Sequence, residues 1–385
     1  MPTDKPGTPI DAVITWVDGS DVNHQRKKRR VLVDPQGAIA RKRDFENGRS
    51  DTLFIDHDIT GQHDTTGQHD AAERDIAAES DIAAGRDIAT GRDPTRFRDN
   101  GELHYCIRSI RAFAPWIRMI FVITDQQTPG FLTPGSREQL GVRIVDHKEV
   151  FRGHEWALPT FNSRTIETVL WRIKGLAPRF IYFNDDFVLT RPVSPEDFFR
   201  DEKVILRGAW NRITGQGSGS RHFQYTFNRW ATYLAGTFLG ITRSMNLNLQ
   251  IRSAQLAGFR RRYYRTPHVP HPLYTRLIRE WFEQNPEKLE ENIAFRFRNS
   301  LQFNAVYLGH HLALLNGRAI PVSAADLVML NGEMDPGFIF SHKLKKIRRQ
   351  QARFACLHAL ERFNPRRRKQ IDQTIQSLLT ADKQK

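Results

Sequence analysis

LPTFNSRTIETVLWRIKGLAPRFIYFNDDFVLT, residues 158–190, decides the fold. Its residues read as loop, helix, tight turn and buried strand, in that order. Asn162 or Ser163 can cap the helix, because a short polar side chain accepts from the free amides of a first helical turn. Ile166, Val169, Leu170 and Ile173 then recur at i, i+3, i+4 and i+7, one apolar stripe of a helix. Gly175 stops that helix and Pro178 keeps it from resuming. Residues 179–183, RFIYF, are short and rich in aromatic and apolar side chains, the pattern of a strand buried on both faces. At its carboxyl end stand Asn184, Asp185 and Asp186. Ligands of open α/β sheets bind beyond the carboxyl ends of the strands. Two adjacent carboxylates there can hold a hard cation such as magnesium against a diphosphate. The same residues can also make no more than a turn, so the rest of the chain has to decide.

Upstream, residues 12–17 (AVITWV) form a second strand candidate, followed by the turn Asp18-Gly19-Ser20-Asp21. An acid again stands at a strand end. Residues 24–30 (HQRKKRR) are a basic cluster, which reads as a solvated helical face or as a contact for phosphates. Asp99 or Asn100 is expected to cap a helix over 102–113, with Leu103, Ile107, Ile110 and Phe113 turned inward. Residues 119–124 (MIFVIT) are a buried strand ending at Asp125, and 142–145 another, ending at Asp146 and His147. Strands and helices alternate, which predicts an α/β fold with a mainly parallel sheet flanked by helices.

Downstream the pattern changes. Ser194-Pro195 is a helix start, residues 215–220 (GQGSGS) a loop, and 221–239 an aromatic-rich stretch. In residues 266–272 (TPHVPHP), prolines stiffen a loop that carries His268 and His271. Pro272 can sit at the first position of a helix with Leu273, Leu277, Ile278 and Trp281 on one face. His271 would then stand at a helix N-terminus, where anions are favoured, and an imidazole so placed is a general-base candidate. Residues 291–308 are expected to be helical, 319–328 to hold a strand, and 342–362 to form a basic helix. Residues 366–369 read as a basic tail.

The chain has 385 residues, enough for one large domain or two. Lysine and arginine number 58 against 43 acids, a formal net charge of +15. Such an excess favours an anionic partner: a nucleotide, a phosphorylated glycan, an acidic lipid or nucleic acid. Cys106 and Cys356 show neither metal-ligand spacing nor a disulfide framework, which suits a reducing compartment. The first residues lack the features of a secretory signal, and no apolar run is long enough to span a bilayer. Action at a membrane would be peripheral. From about 56 to 93 the apolar periodicity stops; GQHDTTGQHD is a doubled unit, and Asp-Ile-Ala then recurs every six residues. One isolated isoleucine per unit cannot order such a segment. The expected organisation is therefore 1–55, the first strand and nucleotide-binding start of the catalytic domain; 56–95, a low-complexity insertion; 96–330, the catalytic core; and 331–385, a basic helical region.

Residues 10–21 (IDAVITWVDGSD), 97–124 (FRDNGELHYCIRSIRAFAPWIRMIFVIT), 158–167 (LPTFNSRTIE), 180–189 (FIYFNDDFVL) and 266–273 (TPHVPHPL) together resemble the Stealth family. That family comprises bacterial capsular polysaccharide phosphotransferases and the catalytic part of animal lysosomal-enzyme GlcNAc-1-phosphotransferase. A family run of the type Cys-Leu-Asn-Asp corresponds only weakly to residues 354–358 (FACLH), where its acids are missing. The resemblance implies a GT-A-like, Rossmann-like fold; the C-terminal part is expected to be mostly helical. It implies transfer of sugar 1-phosphate from a nucleotide sugar, UDP-linked, to a glycan hydroxyl in capsular or cell-surface polysaccharide synthesis, with release of UMP.

It further implies that Asp185 and Asp186 are catalytic, binding Mg2+ or Mn2+ or orienting the attacking hydroxyl, with His271 as general base and His268 as second choice. Asp18 would lie by the nucleotide, while Arg98, Asp99 and Arg108 would line the donor pocket. The implied partners are the nucleotide-sugar donor, the glycan acceptor and capsule-assembly machinery. The implied location is cytoplasmic, at most peripheral to the inner face of the plasma membrane. Nucleic acid is not expected. A metal-dependent GT-A glycosyltransferase, attacking the anomeric carbon and releasing UDP, would share this fold, although the usual Asp-x-Asp motif is not apparent. A further alternative is a non-enzymatic basic protein that binds glycan or membrane, for which acids at several strand ends are costly to keep.

Overall fold

Side-chain alternation along the strands builds a sheet with two covered faces. In strand β1 (Ile10–Thr15), Ala12 and Ile14 enter one apolar core and Val13 enters the other. Strand β2 (Ile120–Thr124) divides likewise, Ile120 and Val122 from Phe121 and Ile123. Strand β4 (Arg179–Asn184) sends Ile181 and Phe183 one way and Phe180 and Tyr182 the other. A strand buried on both faces reads as a continuous apolar run. These facts come from a computed structural model that describes residues 7–33, 100–213, 243–299 and 301–381. The repeat segment, Arg98, Asp99, the 215–220 loop and residues 221–239 lie outside the described residues.

Together with β3 (Val142–Asp146) these strands lie in the order β4-β1-β2-β3, all parallel. The fold is mixed α/β around this parallel-containing sheet, with helices on its faces. Helix α1 (Val22–Val33) follows β1, and α2 (Glu102–Phe113) precedes β2. Leu103, Ile107, Ile110 and Phe113 of α2 are buried as expected. Its N-cap is Gly101, at φ 91°, rather than Asp99 or Asn100. At the amino end of β1 the fully buried Asp11 accepts two hydrogen bonds from Arg118, at 2.6 and 2.9 Å, and one each from the Met119 and Ala177 amides. All its bonds join neighbouring elements of the sheet, which makes it structural.

The helix of the 158–190 stretch is shorter than its apolar stripe. Asn162 caps it, accepting from the Arg164 amide, but α3 runs only from Ser163 to Thr168 and a 3-10 turn (Leu170–Arg172) follows. Thr165, Thr168 and Val169 are β-branched and stiff in a helix, and the Trp171 indole takes the Thr168 carbonyl at 3.1 Å. Ser194-Pro195 likewise starts a single 3-10 turn (Pro195–Asp197).

Strand β5 (Phe187–Leu189) leaves the main sheet directly after the Asp185-Asp186 turn. The histidine loop runs into a strand, not a helix: β6 (His271–Tyr274) pairs antiparallel with β4, with His271 opposite Tyr182. Helix α4 (Thr275–Gln284) begins only afterwards. Proline is compatible with β6 because β6 is the edge strand of the sheet, where a missing amide breaks no inner ladder. Residues 291–308 divide between a helix (Pro286–Ile293) and α5 (Ala305–Leu315), with Arg296 and Arg298 in the connection. Two strands replace the one expected near 319–328: Ala319–Val322, and β7 (Leu327–Asn331).

The region after 331 is not all helix. Between α6 (Gly337–Arg348) and α7 (Pro365–Ala381) lies β8 (Phe354–His358), central in a three-stranded sheet with β7 and β5. The cause is apolar content: Phe354 to Leu357 are all buried, whatever the basic residues before them suggest. Residues 366–369 are the first turn of α7, which is tied to α2 by the Tyr105–Asp372 hydrogen bond of 2.6 Å.

Candidate active site

The carboxyl ends of the four parallel strands carry Asp18 after β1, Asp125 after β2, Asp146 ending β3, and Asp185-Asp186 after β4. Most of these acids are held by local bonds. Asp18 accepts from the Ser20 amide at 2.8 Å and the Ser20 hydroxyl at 2.6 Å, and Asp21 accepts from the His24 amide at the start of α1. The Gln127 amide grips the Asp18 backbone twice, accepting from its N–H at 3.0 Å and donating to its carbonyl at 2.9 Å. Asp125 pairs with Lys27 at 2.9 Å. Asp146 accepts from the amides of Gln126 and Lys148, which makes it a turn and cap residue.

The end of β4 is different, because two distant segments, β8 and the histidine loop, converge on Asp186. The backbone carbonyl of Asp186 accepts from the Leu357 amide of β8 at 2.9 Å, and the Cys356 thiol donates to its Oδ2 at 3.2 Å. His268 places Nε2 3.4 Å from Oδ1, an oxygen that is buried and lacks a hydrogen-bond partner. The same nitrogen is 3.1 Å from the side-chain amide of Asn184. The imidazole is held edge-on to Phe187, their centroids 4.5 Å apart. Burial pushes the Asp186 carboxyl up; His268, the Cys356 thiol and the charge of His358 outweigh it, and the group lies below the usual carboxylate value. Burial pushes the Cys356 thiol well up, and the two aspartates push it further, so it is protonated. Cys106, also buried, donates to the Asn184 carbonyl at 3.7 Å from the other side.

His268 and His271 have separate surroundings. His268 is half-buried and faces the acid. His271 is 4% exposed, with Tyr182 stacked beside it and His310 at a ring distance of 5.1 Å. Burial, His310 and His268 hold it well below the usual histidine value, so it is neutral. The structure thus brings together Asp185, Asp186 and His268. It leaves His271 inside the sheet and Asp18 on the adjoining strand end. Arg108 reaches α7, donating to Gln376 at 3.3 Å. Arg98 and Asp99 lie outside the described residues.

Three groups near the site carry little or no signal in the sequence. Gln127 carries no motif. Cys356 belongs to the divergent FACLH run, whose interest only the pairing of β8 with β5 reveals. Glu167 is buried, accepts from Tyr182 at 3.1 Å and from Asn304, and is pushed up by burial against the opposing charge of Arg298. Tyr182 in turn shares a 2.9 Å hydrogen bond with Thr15, so this network ties α3 and α5 to β4 and β1.

Fit to a divalent cation can be judged from the donors. Asp186 offers one buried oxygen without a hydrogen-bond partner, and Asp185 is next to it at the strand end. Carboxylate oxygens suit magnesium or manganese.

Residues 8–32 match the model of Stealth protein conserved region 1, and residues 96–206 that of conserved region 2. The chain is 31% identical over 323 residues to a receptor polysaccharide phosphotransferase of Streptococcus oralis, covering 80% of this chain and 79% of that one. It is 30% identical to a capsular polysaccharide phosphotransferase of Streptococcus pneumoniae over the same shares. An exopolysaccharide phosphotransferase of Streptomyces coelicolor is 29% identical over 82% of this chain, but the match spans 26% of that protein. The chain thus spans about a quarter of the length of the Streptomyces coelicolor relatives it matches.

Proposed function

The chain belongs to the Stealth family, and from that premise we propose that it transfers a sugar 1-phosphate from a UDP-linked sugar to a glycan hydroxyl, forming a phosphodiester and releasing UMP in capsular or exopolysaccharide synthesis. The observation that carries this reading is the Asp186–His268 pair, 3.4 Å apart at the carboxyl end of β4 and next to Asp185. A GT-A-like placement of the donor along the strand ends accords with it, with Asp18 at the nucleotide side. The chemistry needs mainly positioning and charge stabilisation.

In this reading His268 is the general base, in place of His271. A buried imidazole in an edge strand is poorly placed to receive an acceptor hydroxyl, whereas the His268 side chain is 27% exposed. While neutral, Nε2 of His268 can accept from Asn184. When it takes the hydroxyl proton, the imidazolium faces the Asp186 carboxylate, which stabilises the new charge. The acceptor oxygen then attacks the β-phosphorus, and the bond from that phosphorus to the bridging oxygen breaks. The anomeric bond is untouched. Asp185 and Asp186 would hold Mg2+ or Mn2+, which neutralises diphosphate charge when bound. The scattered net charge of +15 suits anionic donors and a peripheral place at the inner membrane face.

The test is product analysis with UDP-sugars and a glycan acceptor. UMP and a phosphodiester signal by phosphorus NMR are expected. Stoichiometric UDP without phosphodiester would replace this reading by glycosyl transfer.

A further inference from the structure

The donors around Asp186 are not all hard. A carboxylate oxygen, an imidazole nitrogen and a thiol sulfur from Asp186, His268 and Cys356 lie within 4.8 Å of one another. Two of the separations are short, 3.2 Å from Cys356 Sγ to Oδ2 and 3.4 Å from His268 Nε2 to Oδ1. A tetrahedral zinc centre with ordinary Zn–S, Zn–N and Zn–O bonds has ligand-to-ligand edges of about 3.3–3.6 Å. Those two contacts use different oxygens of the carboxylate; a single ion takes one of them, and a turn of the carboxylate closes the remaining edges from within 4.8 Å toward those of such a tetrahedron. The segments that carry them are tied to one another. Cys356 is in the central strand of its sheet, Asp186 is bonded to that strand through its own carbonyl, and His268 is wedged on Phe187.

We propose that Asp186, His268 and Cys356 form a binding site for a borderline, thiophilic divalent cation of the zinc class. Magnesium gains nothing from a thiol or an imidazole; zinc and cobalt gain from both. Binding displaces the thiol proton: Cys356 S–H becomes a sulfur–metal bond and one proton goes to solvent. Three protein ligands leave the fourth position for water or a phosphate oxygen. The ion occupies Nε2 of His268, so turnover stops while it is bound. That inhibitory consequence rests on the phosphotransferase reading; the binding itself does not.

The experiment titrates zinc into the full chain, reduced with a non-thiol reductant, in competition with a chromophoric chelator and in excess magnesium. One equivalent should bind, and Cys356→Ser and His268→Gln should each weaken it at least tenfold. Cobalt in place of zinc should give a thiolate charge-transfer absorption that Cys356→Ser abolishes. Circular dichroism checks that each variant is folded, and His268→Gln, at a half-buried position, stands in if the serine variant is not. Zinc that magnesium displaces, or an affinity unchanged by the substitutions, would overturn the site. Neither result touches the identity of the reaction product, which decides the function separately.

Discussion

Nε2 of His268 lies 3.4 Å from Oδ1 of Asp186, on the loop that leads into β6 beside β4. His271, three residues on, points instead into the sheet between Tyr182 and His310. The two histidines therefore predict different defects. His268→Ala and Asp186→Asn should each lower kcat by about 10²–10⁴, the usual worth of a positioned acid–base group, with the fold intact. His271→Ala should chiefly lower the melting temperature, because it empties a buried position. Steady-state kinetics beside thermal melts separates the two, and a kcat loss confined to His271→Ala would reverse the assignment.

The readable part of this site was its strand. The Phe180–Phe183 run and the acids after it could be placed from apolar pattern alone, because a doubly covered strand has a local signature. β6 could not, since Pro272 is as good at a helix start as on a sheet edge, and only pairing with β4 decides between them. β8 was hidden for a similar reason. Its four buried residues sit among Lys and Arg, and the partner that makes them a strand is β5, distant in sequence. The meeting of Cys356 with Asp186 follows from that pairing, so no local pattern could show it.

Stability should fall in mild acid. Burial lowers the pKa values of His147 and His311 to about 4 and that of His310 to about 3. Each folded value lies below the usual unfolded value near 6.5, so the unfolded chain binds these protons first. The stabilisation is complete above about pH 6.5 and is lost as pH falls toward 4. His311 shows the structural cost, since Nε2 accepts from the Tyr264 amide at 2.9 Å while Nδ1 is 2.7 Å from the Tyr307 carbonyl. A melting temperature that stays level from pH 7 to 4.5 would contradict this.

Asp11 provides the contrast between a structural acid and the acids of the site. Asp11→Ala strands the Ala177 and Met119 amides and removes the Arg118 pair, so it should cost about 2–4 kcal/mol. Arg118 is half exposed and can rehydrate, which keeps the loss from being larger. Chemical denaturation measures it. The donor KM of the remaining folded protein should equal that of the parent.

Deleting residues 60–92 should leave folding and most activity intact. The segment has no core-forming pattern, and β1 and β2 on either side of it pair directly in the sheet. A fall of more than a few degrees in melting temperature would show that the repeats contribute to the fold.

Gln127 is the group through which the Asp18 loop can be tested without touching an acid. Its amide holds both the N–H and the carbonyl of Asp18, so the end of β1 is fixed to the loop after β2. If that loop lines the nucleotide, freeing it should weaken donor binding more than it slows the chemistry. Gln127→Ala should raise the donor KM about tenfold, the equivalent of about 1.4 kcal/mol, with little change in kcat. Gln127→Glu keeps the acceptor for the Asp18 amide but loses the donor to its carbonyl, and should fall between the two. Equal losses in kcat from both variants at an unchanged KM would place the loop at the reacting phosphate instead of the nucleotide.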